Sequence, residues 1–275
     1  MKFKDISIKL FLHFVLVLGA TIMLFPFLWM IFTSLKPATE ILSSPPTFFP
    51  HSVTLSHFKE VLFGDWPFIR FFINSIVLST ISTVCIIFTS SLAGYIFAKF
   101  EFIGKRVLFW SILGTMMIPF QSFIIPLYLL MNSFGWVDSY IGIVFPWLIQ
   151  GFSTFFMRQN IASIPDELID SAKVDGASNL TIYFRIILPL SKSALSAVAI
   201  FSFMFAMGYF IWPLIITSST EKYVLTLGLT LFQHSFYTDY GLVMAGATIT
   251  TAPVFIAYAV LRRRIIRGMT LTGLK

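Results

Sequence analysis

The residues best placed for chemistry gather in one stretch, Arg158 to Lys192. It holds four carboxylates (Asp166, Glu167, Asp170 and Asp175) and four cations (Arg158, Lys173, Arg185 and Lys192). On both sides the chain returns to long runs without a charged residue, so this island is presented to a partner by charge. Covalent catalysis has no comparable candidate. The four histidines, His13, His51, His57 and His234, are scattered, and no His-x-x-x-His, Gly-x-Ser-x-Gly or intramembrane carboxylate pair occurs. A lone Cys85 excludes an internal disulfide and provides no metal constellation, so its expected role is packing. There is no G-x-x-x-x-G-K-[ST] phosphate loop, so the chain does not hydrolyse ATP itself. No cofactor and no enzyme activity are expected.

The island must be held by a helix, a tight turn and a second helix. Ser163 is expected to cap the first helix, with Asp166 three residues on returning the bond and Pro165 in the first turn. Asp166 and Glu167 suit the positive end of the helix dipole, and Lys173 suits the other end. Leu168, Ile169 and Ala172 form a small apolar stripe. Gly176 stops the helix, because glycine enters the left-handed region cheaply. Ser178 caps a second helix that runs to Leu188 and ends at Pro189. The product is a stiff knob, thin in side chain around Ser171, Ala172, Gly176 and Ala177. The plainer reading is an ordinary amphipathic connecting helix.

The order Asp170-Ser171-Ala172, three residues, Gly176, nine residues, Ile186, one residue, Leu188-Pro189 resembles the EAA loop of ABC importer permeases. With IPDEL before it and AKVDGAS across it, it is most similar to the carbohydrate-importer branch. The resemblance extends weakly to the smaller permease of maltose- and maltodextrin-type importers, through the order of the external pieces and the tail RRRIIRGMTLTGLK. Asp170-Ser171 stands where the family usually has Glu-Ala, which keeps charge sign and small size. The resemblance implies a type I importer permease fold. It implies that Glu167, Asp170, Ser171, Ala172, Lys173, Asp175 and Gly176 dock into a cleft on a cytoplasmic ATPase subunit. It also implies the partners: a second permease in a heterodimer, two ATPase subunits that bind the ATP, and an extracytoplasmic solute-binding protein.

Composition places the whole chain in the lipid bilayer. Of 275 residues 57% are hydrophobic and only 11% charged, against roughly a quarter in soluble domains. The expected fold is an all-α integral membrane protein, one permease domain over 1–275. Charge-free runs place six transmembrane helices near 11–34, 72–98, 107–131, 139–157, 193–216 and 241–261, each close to the roughly 20 residues a crossing needs. The island, 158–192, is then a cytoplasmic coupling loop. With the N-terminus inside, 15 Lys and Arg fall on the cytoplasmic side and 4 on the external side, which fixes both termini in the cytosol of a multi-pass cell-membrane protein. The net charge of +7 follows this bias and does not signal nucleic-acid binding. The N-terminal apolar run, about 26 residues, exceeds a signal peptide's usual core and is a retained first span. Residues 223–238 are expected to form an external loop that dips toward the mouth of the pathway.

Within the spans, Pro119 and Pro126 should break the third helix, leaving Gln121 and Ser122 to line either a solute path or a packed kink. Gln150 and Ser153, and further along Met204, Met207 and Tyr209, are similar candidates. Gly94 and Ala98 have the small-residue spacing of close helix contacts. The spans lack Asp, Glu, Lys and Arg, whereas ion-coupled carriers generally keep an ionisable group at that depth. Driving force must therefore come from a partner, and an uncharged polar solute such as a sugar suits the path. The alternative is a scaffold or passive channel whose loop binds a cytoplasmic protein.

Overall fold

The structure is a computed structural model that describes the backbone of residues 2–233 and 238–270 and the side chains of 8–233 and 238–260. Among the described residues there are no β-strands, only an isolated antiparallel bridge between Gln233 and Thr238. The chain packs as two units, Met1–Ile69 with Gly228–Ala252, and Arg70–Leu227 with Pro253–Lys275. The Lys2, Lys4 and His234 side chains, the basic cluster 262–267 and Lys275 lie outside the described side chains.

The first unit contains helix α1 (Lys2–Ser34), whose apolar side chains, Leu10, Phe11, Leu16 and Met23 among them, stand exposed, as a lipid-facing helix requires. The segment that follows is compactly folded. Phe48 stacks on Phe25 at 5.3 Å, and Lys36 lies over the Trp29 ring at 5.1 Å. His57, in a short helix over Ser56–Phe63, is buried and pairs with the Lys36 carbonyl at 2.9 Å. Desolvation pushes the Glu40 carboxyl up, but hydrogen bonds from His51 and Thr47 outweigh it and hold Glu40 below the usual carboxylate range.

The second unit is built on helix α2 (Phe68–Lys99), the longest unbroken element in it. No proline interrupts these 32 residues, so the helix runs about 48 Å. Its polarity is inside-out. Asn74, Ser75, Ser79, Ser82, Thr83, Ser90 and Ser91 are buried, while Ile73, Val77, Ile81, Val84 and Phe88 are exposed. Lipid offers hydroxyls no partner, and an unsatisfied polar group there costs several kcal/mol, so the serines turn toward protein.

The other helices of this unit are interrupted. The span expected at 107–131 is two pieces, α3 (Lys105–Thr115) and α4 (Ile124–Ser133), separated by Met116–Pro119 and a 3₁₀ turn at Phe120–Ser122. Pro119 makes the break as expected. Pro126 does not, because it falls in the first turn of α4, where no helical N–H bond is lost. Next come α5 (Tyr140–Val144) and, past a 3₁₀ turn holding Pro146, α6 (Gly151–Ala162), at 44° to the preceding pair of turns. Helix α6 continues through Arg158 to Ala162, residues assigned to the loop from sequence.

The coupling segment carries α7 (Asp166–Val174) and α8 (Asn179–Ile182). After a π-helical turn (Tyr183–Ile187) and a 79° bend, α9 (Lys192–Met207) begins, followed by α10 (Ile211–Ile216). Finally α11 (Tyr240–Thr270) is continuous although Pro253 lies inside it. Among the described residues, three helices are long and apolar enough to cross a membrane, and up to five when each bent pair is taken as one crossing. The third expected span, 107–131, is not among them, since neither α3 nor α4 alone is long enough.

Candidate functional site

Helix α7 starts two residues later than its capping signals suggest. Its N-cap is Pro165, and Ser163 instead closes α6 by bonding the Asn160 carbonyl at 2.7 Å. The expected capping box is absent because Asp166 has a stronger partner, the Lys99 ammonium at the end of α2, 2.6 Å away. That ammonium is 6% exposed and also donates to the Ile164 carbonyl at 2.5 Å. The Lys99 hydrogen bond, reinforced by its charge, holds the Asp166 carboxyl below the usual carboxylate range.

Gly176 ends the turn at φ 79°, in the left-handed region, and a side chain there would meet nothing within 4 Å. Conformation alone, not space, demands glycine. Ser178 caps α8 as expected, accepting from the Thr181 N–H at 3.2 Å. Pro189 does not stop the second helix at Leu188. The chain stays helical to Leu190, and the turn before it is π-type.

One side of this segment is anchored. Ile169, Ile182, Tyr183 and Ile187 enter a core with Ile86 and Tyr95 of α2, Met157 and Ile161 of α6, and Val198 of α9. The Tyr183 hydroxyl meets Ser91 at 2.7 Å, and its ring stacks on Tyr95 at 5.8 Å. The Arg158 guanidinium donates to the Phe97 carbonyl at 3.2 Å and covers the Phe109 ring at 4.5 Å. Gly94 permits the α2–α6 approach, since a Cβ there would fall 2.8 Å from the Met157 Cβ.

The other side is free. Glu167, Asp170, Ser171, Lys173, Asp175 and Gly176 are exposed, and Ala172 is half-buried against the core. Leu168, expected in the buried stripe, is 44% exposed, and Val174 is 87% exposed, so the free face mixes charge with two apolar side chains.

Of the four candidates for a solute path, Gln121 and Ser122 are exposed in the α3–α4 break. Ser153 is buried and donates to the Gln150 amide oxygen at 3.2 Å. Met204 is partly exposed and Met207 is packed in the interior. Tyr209 stands in an aromatic group that sequence reading passed over. Trp147 lies 4.8 Å from both Phe120 and Tyr209, and Phe205 lies 4.9 Å from Tyr209. The Tyr209 hydroxyl lies close to the Gln150 amide, but neither it nor the Trp147 indole N–H has a partner at hydrogen-bonding geometry. Tyr209, Ser75, Ser79 and Ser82 line a narrow cavity with ≈ 10 Å³ of room, about one water. The period-3.6 recurrence of serine along α2 was the available signal for this wall.

Residues 221–225 are bonded to the N-terminal part of α2. The Leu225 N–H donates to Ser75 at 2.7 Å, and Asn74 donates to the Glu221 and Tyr223 carbonyls, each at 2.9 Å. Residues 234–237 of that loop lie outside the described residues. Asp138, at φ 51°, clamps the adjoining turn. It accepts from the Ser218 and Ser219 N–H groups at 3.1 and 3.0 Å and pairs with Lys222 at 2.8 Å, which leaves its carboxyl far below the usual range.

An apolar all-helical chain whose one strongly charged segment is packed on one side and bare on the other fits a membrane permease. The model of the family described as "binding-protein-dependent transport system inner membrane component" matches residues 90–271, and the chain belongs to that family. It is 31% identical to the arabinooligosaccharides transport system permease protein AraQ of Bacillus subtilis, over all of this chain and 98% of the relative. It is 32% identical to the lactose transport system permease protein LacG of Rhizobium radiobacter, over 93% of this chain and 92% of the relative. Its fold is that of a chain in the crystal structure of a bacterial ABC transporter involved in alginate import, with TM-score 0.81, 23% identity, and coverage of 94% of this chain and 97% of that one. It is thus a multi-pass inner-membrane transport subunit of an ATP-driven importer, not an enzyme, and the scaffold reading is not favoured.

Proposed function

We propose that this chain is one half of a heterodimeric permease pair that imports an uncharged saccharide. Both termini are cytoplasmic, and the sixth crossing is made by α3 and α4 together. Two ATPase subunits bind the ATP, one of them gripping the free face of α7 and the Gly176 turn, and an extracytoplasmic binding protein delivers the solute. Glu167, Asp170, Lys173 and Asp175 orient the docking by charge, while Ser171, Ala172 and Gly176 allow close approach. ATP-driven closure of the ATPase pair moves the knob and rocks the spans between outward- and inward-open states.

The observation that carries this reading is the two-sidedness of the coupling segment, which joins a fully packed back to an exposed charged front. The sugar class is supported by the solutes named for the relatives, arabino-oligosaccharides and lactose, and by the aromatic and amide groups at Trp147, Tyr209, Gln150 and Gln121. The test is Gly176→Val. Placing a β-branched residue at positive φ costs about 1–2 kcal/mol, and both ATPase copurification and uptake of labelled saccharide should fall roughly tenfold. Gly176→Asn, which tolerates that conformation, should retain most of both. Normal assembly and uptake in the Val variant would overturn the reading.

A further inference from the structure

We infer that Lys99 is a positioning residue that joins the coupling segment to α2, and that α2 carries the motion as one rod to the external loop at 221–225. The inference rests on the proposed docking of α7. Helix α2 is unbroken from Phe68 to Lys99, whereas the paths through α3–α4, α5–α6 and α9–α10 are each interrupted. A push on a broken helix is absorbed at the break, and a push on a continuous one is delivered to its far end.

The rod is fastened at both ends through its own side chains. At the inner end the Lys99 ammonium grips the first turn of α7 through Ile164 and Asp166, and Ser91 holds Tyr183 in the π-helical turn beyond Gly176. Both arms of the coupling segment are therefore tied to one helix. At the outer end Asn74 and Ser75 hold the backbone at Glu221, Tyr223 and Leu225. Roughly 37 Å separates Asn74 from Lys99 along the helix. The intervening inward face includes Ser79 and Ser82, which line the narrow cavity with Tyr209. A displacement begun at α7 thus passes the candidate solute wall before it reaches the external loop.

Lys99 suits this role better than a neutral residue. Its ammonium is nearly buried, its carbonyl partner lies at the end of the α6–α7 connection, and its carboxylate partner opens α7. The two bonds diverge, so they fix the direction of α7 as well as its distance.

The test uses the full importer, with both permeases and the ATPase subunits, reconstituted in liposomes. ATP hydrolysis and uptake of labelled saccharide are read from the same sample. Lys99→Gln should assemble and hydrolyse ATP while solute moved per ATP falls roughly fivefold, within the range found for coupling mutations. Lys99→Arg should restore the ratio, because a guanidinium can donate to both the Ile164 carbonyl and the Asp166 carboxylate.

Asn74→Leu supplies the second arm. Sites this far apart normally contribute independently, so two unconnected defects would multiply. A single rod gives a double variant no worse than the poorer single one. A wild-type ratio in Lys99→Gln, failure of Lys99→Arg to restore it, or multiplying defects would each overturn the inference. If Gly176→Val still binds the ATPase, the docking reading falls. If that variant fails as expected while Lys99→Gln transports at the normal ratio, only the rod falls.

Discussion

The two ends of the second unit solve opposite problems with the same helix. At its inner end α2 is locked: Gly94 lets α6 touch backbone to side chain, isoleucines fill the gap under α7, and Lys99 and Ser91 close the seam. Toward its outer end, α2 faces the interrupted α3–α4 and serine hydroxyls around a narrow cavity, while buried polar atoms without a partner occur at both ends, Tyr95 and Ser191 at the inner one and Trp147 and Tyr209 at the outer. Dense packing transmits a displacement, because a close-packed core moves as a body. A cavity and an irregular stretch between two short helices invite rearrangement, because the chain there can repack without breaking a filled core. A permease needs both, at different depths.

The largest effect should come from filling the locked end. Gly94→Leu forces a side chain into the Met157 Cβ and the Arg158 backbone and should cost about 3 kcal/mol. A strong drop in detergent thermal stability would check it, and an unchanged midpoint would break the contrast.

A middle-sized effect is expected at the external clamp. Asp138→Ala removes bonds to two backbone N–H groups and to Lys222, and should cost about 2 kcal/mol, seen as faster protease cutting near 217–223. The Asp138 carboxyl is held low in the folded state, so its contribution is complete above the ordinary carboxylate range and is lost as pH falls through its lowered value. Wild-type cutting should therefore be flat above roughly pH 5 and rise only in stronger acid.

The smallest effect should carry the opposite sign. Tyr209→Phe deletes a buried hydroxyl that has no partner, so stability should rise by about 1 kcal/mol while the KM for saccharide worsens. A loss of stability would show that the hydroxyl is already paired, and would remove the outer half of the comparison.

What was legible in the sequence follows the range of the forces involved. The Gly176 turn, the Ser178 cap and the Pro119 break are decided within a few residues, and each formed where its local chemistry placed it. Ser163 was misjudged because the competitor for Asp166 was Lys99, 67 positions away in the chain. Pro126 was misjudged because a proline breaks a helix or begins one according to where the preceding break falls, and Pro119 had already set that. For the solute path, Gln121 and Ser122 were found through the broken helix. The wall of Ser75, Ser79, Ser82 and Trp147 depends on which faces meet, and only the assembled bundle decides that.

Val174, 87% exposed, and Leu168, 44% exposed, are apolar side chains displayed on α7. On the docking reading they are covered only once an ATPase subunit is seated. A copy synthesised in excess of its motor therefore wears a sticky spot that the finished importer hides, which gives cellular quality control a physical means of telling orphan from assembled chain.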